Sequence, residues 1–367
     1  MKRILVLYDG TVYTYRWLSA LTKAKSFLLK EGYKISFPEP LHSIKRQLSF
    51  EKMLKLIKRD DIVLLAFHPG GRYFDDKKKL LAFISSVNEN CEKIIWLDTS
   101  DSSGTTFFEV LPYVSKYLKK QIYTDTSLYN KPLCRDRLFC EYYCKKSDVT
   151  IVEADKPQNV PITVDDLRKL GISWNVGLGS LFERSKVRFV FDINRKHENI
   201  IFETPNFNRK YDIFYRGSLY DSITGYQRKL AIETIGGLTC IHPDPTIRVS
   251  QEEYDEEIRN SKTILSPFGC GEICTRDFET FRNGAVLIKP NMSHLKTYPD
   301  IFIENQTYIS INWDFTDLSE HLNSILENEK EYYRIAKYAQ DMYYESLSQA
   351  GITEFVDHFL TEIGEKY

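Results

Sequence analysis

The chain has no long hydrophobic run: no stretch approaches the ~20 apolar residues a membrane-spanning helix needs. It has no excess of one charge. Its 50 lysines and arginines against 51 aspartates and glutamates leave a net charge of −1, which argues against a general attraction to nucleic acid or anionic membrane. Its cysteines lack metal-ligand spacing. Cys134, Cys140 and Cys144 lie close together, and Cys270 and Cys274 could share a helix face, but neither group has a C-x2-C step or a neighbouring histidine. No metal site is expected, and the thiols are read as reduced. The first apolar run leads into Asp9-Gly10-Thr11 and not into G-x-G-x-x-G, so the pyrophosphate turn of a dinucleotide-dependent dehydrogenase is missing. There is no low-complexity tract and no internal sequence repeat.

What is present is globular. At 367 residues, 42% hydrophobic and 28% charged, the chain is long enough for two domains. The opening M-K-R-I-L-V-L-Y-D-G is too short for a signal peptide and ends in a turn, so it reads as a first strand in a protein expected to be intracellular. The basic runs Lys77 to Lys79 and Lys116 to Lys120 read as solvated faces. Tyrosine (24) and phenylalanine (22) are abundant. Most are expected in the core.

Apolar runs alternate with amphipathic stretches throughout. In the first half the strands are Ile4–Leu7, Lys34–Phe37, Ile62–Phe67 and Lys93–Leu97. Helices are expected over about 15–30, 50–59 and 76–87. In the second half the strands are Tyr211–Tyr215, Leu238–Ile241, Thr263–Leu265, Ala285–Ile288 and Tyr308–Asn312, closed by helices over about 317–339 and 352–363. Uniformly apolar strands between helices predict parallel sheets covered on both faces. The expected organisation is a first α/β domain with linker (1–200), a second α/β domain (201–345) and a terminal helix (346–367) that packs back on the first. The linker holds the glycine-bearing Trp174 to Ser180 and a polar hairpin-like stretch around Asn194 to Asn199. Ligands of such sheets bind beyond the carboxyl ends of the strands, and two facing domains would make one cleft.

The most informative stretch runs from Ser261 to Trp313. An apolar strand meets Ser266-Pro267-Phe268-Gly269, with Gly271 and Glu272 next. A helix-like segment bearing Arg276 and Glu279 follows, ends at Gly284, and gives way to a second apolar strand. A strand, a glycine turn and a helix N-terminus form an anion site. This segment resembles the donor-binding half of two-domain, GT-B-type glycosyltransferases, in particular the group-1-like and exostosin-like bacterial transferases of surface-polysaccharide synthesis. Ser266-Pro267-Phe268-Gly269, and Glu279 with Gly284, match the S-P-x-G and E-x4-G pattern. Tyr215-Arg216-Gly217-Ser218 resembles the first phosphate-facing loop of the same half.

The resemblance implies two Rossmann-type domains facing across a cleft. It also implies transfer of a sugar from a nucleotide-sugar to a saccharide or glycolipid acceptor in the cytoplasm, with peripheral membrane contact and no nucleic-acid partner. Glu279 takes the position of the ribose-binding carboxylate. Gly271 stands where many retaining members have a second glutamate, so Glu272 is not carried over as the donor-sugar contact and joins the donor side by position alone. No D-x-D is present, which points to metal-independent transfer with no cofactor.

The departing diphosphate would then meet arginine, lysine and backbone N–H groups. Arg216 is the first candidate and Arg276 the second, with Gly217, Ser218, Ser266, Gly269 and Gly271 as turn donors. His242, Lys289 and His294 sit on neighbouring strand-end loops. Each also reads as a structural residue: Arg276 as a helix-face partner of Glu272 or Glu279, and His242 as a buried, hydrogen-bonded histidine. If transfer inverts the anomeric centre, a general base would come from the first domain, from His68, Asp98 or Asp101, the last two being equally readable as helix N-caps. Competing readings are a nucleotide-sugar epimerase on the same scaffold and a non-catalytic nucleotide- or sugar-binding subunit.

Overall fold

A computed structural model of the chain describes residues 1–38, 49–68, 75–146, 152, 155–179, 200–219 and 222–366. Pro69-Gly70-Gly71, Ser180 and the 194–199 stretch lie outside them. The first half contains β1 (Lys2–Tyr8), α1 (Val12–Lys23), α2 (Lys25–Lys30), β2 (Tyr33–Ser36), α3 (Phe50–Leu54), β3 (Asp61–Ala66), α4 (Lys77–Asn90) and β4 (Lys93–Asp98). It continues with β5 (Lys116–Lys119), β6 (Gln121–Tyr123), α5 (Leu138–Lys146), α6 (Val164–Leu167) and β7 (Leu170–Ile172). The second half contains β8 (Tyr211–Phe214), α7 (Ile223–Gly236), α8 (Gln251–Arg259), β9 (Ser261–Leu265), α9 (Thr275–Arg282), β10 (Val286–Pro290), β11 (Leu295–Thr297) and β12 (Tyr308–Ile311). Three helices close it: α10 (Leu318–Glu327), α11 (Glu329–Ser346) and α12 (Gln349–Glu362).

The strands form two parallel sheets, ordered β2-β1-β3-β4-β5-β7 and β12-β10-β9-β8. This is the two-domain, Rossmann-type α/β arrangement. Side chains alternate across a strand, and in β3 every residue is buried, because helices cover both faces. Trp17, Leu21 and Leu28 pack on one face of the first sheet, and Met53, Phe83 and Ile84 on the other. In the second sheet, Ala231 and Ile235 of α7 pack with Leu318, Leu322 and Ile335 of the closing helices. No described helix is long and apolar enough to cross a membrane.

Two sequence expectations change. Leu238–Ile241 does not form a ladder. It runs beside β8, joined by Asp212 N–H to the Ile241 carbonyl (2.7 Å), while the Asp212 carboxylate accepts from Ile241 N–H (2.9 Å). The side chain takes the place of a ladder partner at the sheet edge. Lys116 to Lys120 is not a solvated face but largely β5, and Lys119 is 1% exposed. Its ammonium lies 2.7 Å from Asp98, and this pairing is what makes burial of the charge tolerable.

The halves are stitched together in several places. β11 pairs antiparallel with β6. α5 supplies Phe139, Cys140 and Tyr143 to an apolar cluster shared with Phe268, Phe278 and Met292. The Asp314 carboxylate accepts from Tyr142 and Lys146, each at 2.9 Å. α12 crosses back to the first domain, where Phe355 and Phe359 pack edge-on against Trp174, itself stacked on Trp17 at 4.6 Å.

Candidate functional site

In each sheet the chain reverses its direction of travel at one point. In the second sheet, the chain leaves β8 past its outer edge and returns on the other side as β9. The loops that follow β8 and β9 therefore diverge, and the crevice between them is the expected ligand position of an open α/β sheet.

The loop after β9 has a rigid foundation. The Ser266 N–H donates to the Ile288 carbonyl (2.9 Å), and its hydroxyl donates to Asp277 (2.5 Å). The Lys289 ammonium lies 3.1 Å from Asp277, and both side chains are fully buried. Asp277 also accepts from Cys274 N–H (2.9 Å), so the N-terminus of α9 already holds an internal carboxylate. Ser266 and Lys289 thus shape the loop from beneath, and the positive potential of the crevice has to come from elsewhere.

Arg228, on the second turn of α7, is one source, and sequence reasoning missed it. It donates to the Ser218 carbonyl (2.9 Å). Its guanidinium also lies over Gly269, where a Cβ would collide with it. It thus bridges the loops after β8 and β9. The only sequence signal was an Arg-Lys step on a helix, which reads equally as a surface face. Arg276 is a second source. It donates to the Arg216 carbonyl (2.5 Å), its guanidinium sits 4.9 Å from the Tyr215 ring centre, and its Nε is buried with no partner among the described residues. Burial works to lower its pKa, but Tyr254, Tyr215 and other neighbours more than offset this, and the group stays charged.

Arg216 is turned differently from the sequence expectation. Its guanidinium forms a two-pronged pair with Glu257 (2.5 and 2.7 Å) and donates to the carbonyls of Asp244 and Ile247. It braces the loop onto α8 and reaches the crevice only through its carbonyl. Glu279 lies one turn along α9 from Arg276 and accepts from the Tyr254 hydroxyl (2.8 Å). Burial pushes its carboxyl above the usual range, opposed by Tyr254 and Arg276. Gly217 leaves room for the Tyr215 hydroxyl, and Ser218 is exposed. His242 is half-buried, with Nδ1 3.0 Å from the Pro243 carbonyl.

Glu272 is not on the helix, which begins at Thr275, so it does not pair with Arg276. It turns into the first domain and accepts from Ser103 N–H (3.0 Å), the Ser103 hydroxyl (2.5 Å) and Gln121 (3.2 Å). At 0% exposure it fastens the β9–α9 turn to the loop after β4. Gly271 permits this approach, since a Cβ there would collide with the Asp101 backbone. His294 is held nearby, 5.0 Å from the Trp313 ring centre, and burial lowers its pKa.

On the first-domain rim the three candidate bases separate. Asp98 is committed: one oxygen accepts from Tyr117 (2.5 Å) and Lys119 (2.7 Å), the other from Ser100 N–H (2.8 Å). Burial opposes its ionisation, yet Lys119 holds the carboxyl below the usual range. Asp101 is 53% exposed and 3.2 Å from Lys120. His68 is half-buried beside Thr99 (3.3 Å), with its backbone N–H bound to Asp9 (2.6 Å). Asp9 also accepts from Thr11 N–H (2.9 Å) and so ties together the loops after β1 and β3 where the first sheet reverses. Elsewhere between the halves, Tyr142, Lys146, Asn291, Trp313 and Asp314 line an open groove of about 480 Å³.

No protein-family profile matches the chain, and no curated protein matches it. Among solved structures, it is similar to HepE of Anabaena in complex with UDP-glucose, at 9% identity over 98% of this chain and 99% of that one, with a TM-score of 0.48. It is also similar to an alpha-glucosyltransferase in complex with UDP, at 8% identity over 97% and 100% of the two chains, TM-score 0.45. A third is a glycosyltransferase from Rickettsia africae, at 11% identity over 100% and 99%, TM-score 0.43.

Proposed function

We propose that the chain is a metal-independent glycosyltransferase that moves a sugar from a nucleotide-sugar to a hydroxyl of a saccharide or glycolipid acceptor, in the synthesis of a surface glycan. The observation that carries this reading is the β8/β9 crevice. Glu279 lies on α9 beside Arg276, which donates to the Arg216 carbonyl of the loop after β8, and Arg228 bridges the loops after β8 and β9. Motif and fold support the same reading: Ser266-Pro267-Phe268-Gly269 and Glu279 with Gly284 sit at the strand end and helix that border the crevice.

In this reading Glu279 accepts from the ribose hydroxyls, and Arg228 and Arg276 take up the charge that grows on the leaving diphosphate. The bond between the anomeric carbon and the diphosphate oxygen breaks, and the acceptor oxygen bonds to that carbon. The acceptor's proton passes to His68, because Lys120 keeps Asp101 ionised and weakly basic. Asp98 holds the loop in shape. Arginine and backbone N–H groups do here what a divalent cation does in other transferases.

A thermal-shift panel of nucleotides and nucleotide-sugars, with and without EDTA, tests this. A ligand at 100 times its dissociation constant stabilises by about 2.7 kcal/mol. The expected result is a shift with one nucleotide family, unchanged by EDTA and lost in Glu279→Ala. No shift with any nucleotide would overturn the reading. A shift without sugar transfer to any acceptor would favour a non-catalytic binding subunit.

A further inference from the structure

The turn before α5 has an unusual backbone. Arg135 (φ 50°, ψ 29°) and Asp136 (φ 57°) are both left-handed, a conformation that costs L-residues energy and persists only when the surroundings impose it. Here they do. The Asp136 carboxylate accepts from the backbone N–H groups of Gln158 (2.9 Å) and Asn159 (3.1 Å). Its carbonyl accepts from the Tyr123 hydroxyl (3.5 Å). Gly104 lies bare against that carbonyl, where any Cβ would collide. Two strained residues are thus held from three directions, and the side chain that follows them is Arg137.

Arg137 is half-buried. Its guanidinium has no hydrogen bond or salt bridge to any described residue, and its Nε is closed off from solvent without a partner. An arginine in that position costs free energy unless something completes it. Its charge is felt by Asp101. Burial works against ionisation of Asp101, and Lys120, followed by His68 and Arg137, outweighs it. Lys120 lies 3.2 Å from this carboxylate, which is 53% exposed. The other carboxylates nearby are committed elsewhere: Asp136 to backbone amides, and Glu272, at 0% exposure, to Ser102, Ser103 and Gln121. Arg137 is left as an arginine with no hydrogen-bonding partner among the described residues.

We propose that Arg137 is an oxyanion-binding residue of the cleft, taking a phosphate group on its guanidinium from the first-domain side, opposite the β9–α9 turn. A planar guanidinium with a fixed fork of N–H donors suits such a group, and a pre-set backbone lowers the ordering cost of binding it. Two sources share the chemistry: the diphosphate of a donor, and a phosphate carried by an acceptor. The choice between them rests on the transferase reading, whereas the site itself does not.

Calorimetric titrations of inorganic phosphate and of UDP into the wild-type chain, Arg137→Gln, Arg137→Lys and Arg228→Gln test the proposal. Circular dichroism and thermal unfolding establish that each variant is folded. Arg137→Gln is expected to weaken phosphate binding about tenfold or more, with partial recovery in Arg137→Lys. Unchanged UDP affinity in Arg137→Gln assigns the site to an acceptor-borne phosphate, and a parallel loss assigns it to the donor diphosphate. Phosphate binding by a wild type that binds neither UDP nor any other nucleoside diphosphate would sink the transferase reading and leave the site standing. A folded Arg137→Gln that binds phosphate and UDP as the wild type does, or a wild type that binds neither, would overturn the proposal.

Discussion

Both domains place a buried lysine–aspartate pair beneath a strand-end loop, and the two pairs are built differently. In the first domain, Asp98 ends β4 and Lys119 ends the adjacent β5, with Tyr117 and Ser100 completing the carboxylate. In the second, Asp277 lies in the first turn of α9 and Lys289 in β10, with Ser266 and Cys274 completing the carboxylate. The first pair joins two strands to a loop. The second joins a strand, a loop and a helix N-terminus, and fills the place where an external anion would bind. In both domains the conspicuous charged residue of the loop serves as its foundation. The groups proposed to serve the cleft are others: Arg228, Arg276 and Glu279 on one side, His68, Asp101 and Arg137 on the other.

The comparison breaks most severely if one charge of a pair is left alone. Lys289→Met strands a fully buried carboxylate and is expected to cost about 3–5 kcal/mol in urea unfolding. Lys119→Met is expected to cost a similar amount, and Lys289→Met with Asp277→Leu should recover most of the loss. A single-variant cost well under 1 kcal/mol would mean the pair is not a foundation.

Next in size is the seam between the loops. Gly271→Ala forces the β9–α9 turn away from Asp101 and is expected to cost about 1–3 kcal/mol. Hydrogen exchange should quicken at 121–123 and 295–297, where β6 and β11 pair. Exchange that speeds up equally everywhere would argue against a local seam.

The acid limb distinguishes the domains more gently. The folded pKa of Asp98 lies below its ordinary 3.8. Its stabilisation is present above pH ~4 and is lost as pH falls through the lower folded value. Asp98→Asn is therefore expected to be less stable than the wild type at neutral pH, with the gap narrowing in acid. A gap that stayed constant down to pH 2 would contradict the linkage.

The smallest effect has the opposite sign. The Glu279 carboxyl is raised above 4.5 by burial, so its ionised form costs stability at neutral pH, a cost that fades as pH falls toward 4.5. Glu279→Gln should melt at the same temperature or slightly higher while losing nucleotide binding, as expected of a residue kept for function at the expense of stability. A drop in melting temperature would mark it as structural.

The sheets were legible in the sequence because their strands are continuous apolar runs bounded by turns. β5 was hidden by its lysines: Lys-Tyr-Leu-Lys reads as a basic surface until Asp98, some twenty residues earlier, is placed beside it. Leu238–Ile241 is apolar enough for a strand, yet Asp212 takes the hydrogen bond a ladder would need. The site was legible in outline only. The motif located the glycine turn and Glu279, but no local pattern shows which way Arg216 faces, that Glu272 crosses to the other domain, or that Arg228 lies over Gly269. Those depend on contacts between residues far apart in sequence.

The most direct test is a calorimetric titration, into the wild-type chain and Arg228→Gln, of the nucleotide that stabilises the wild type most in the thermal-shift panel, with Arg216→Gln as the contrast. The account expects a single nucleotide site whose affinity falls about tenfold or more in Arg228→Gln. In Arg216→Gln, where the side chain braces α8, the expected loss is in stability and not primarily in affinity. A full loss of affinity in Arg216→Gln with none in Arg228→Gln would contradict the arrangement of the crevice described here.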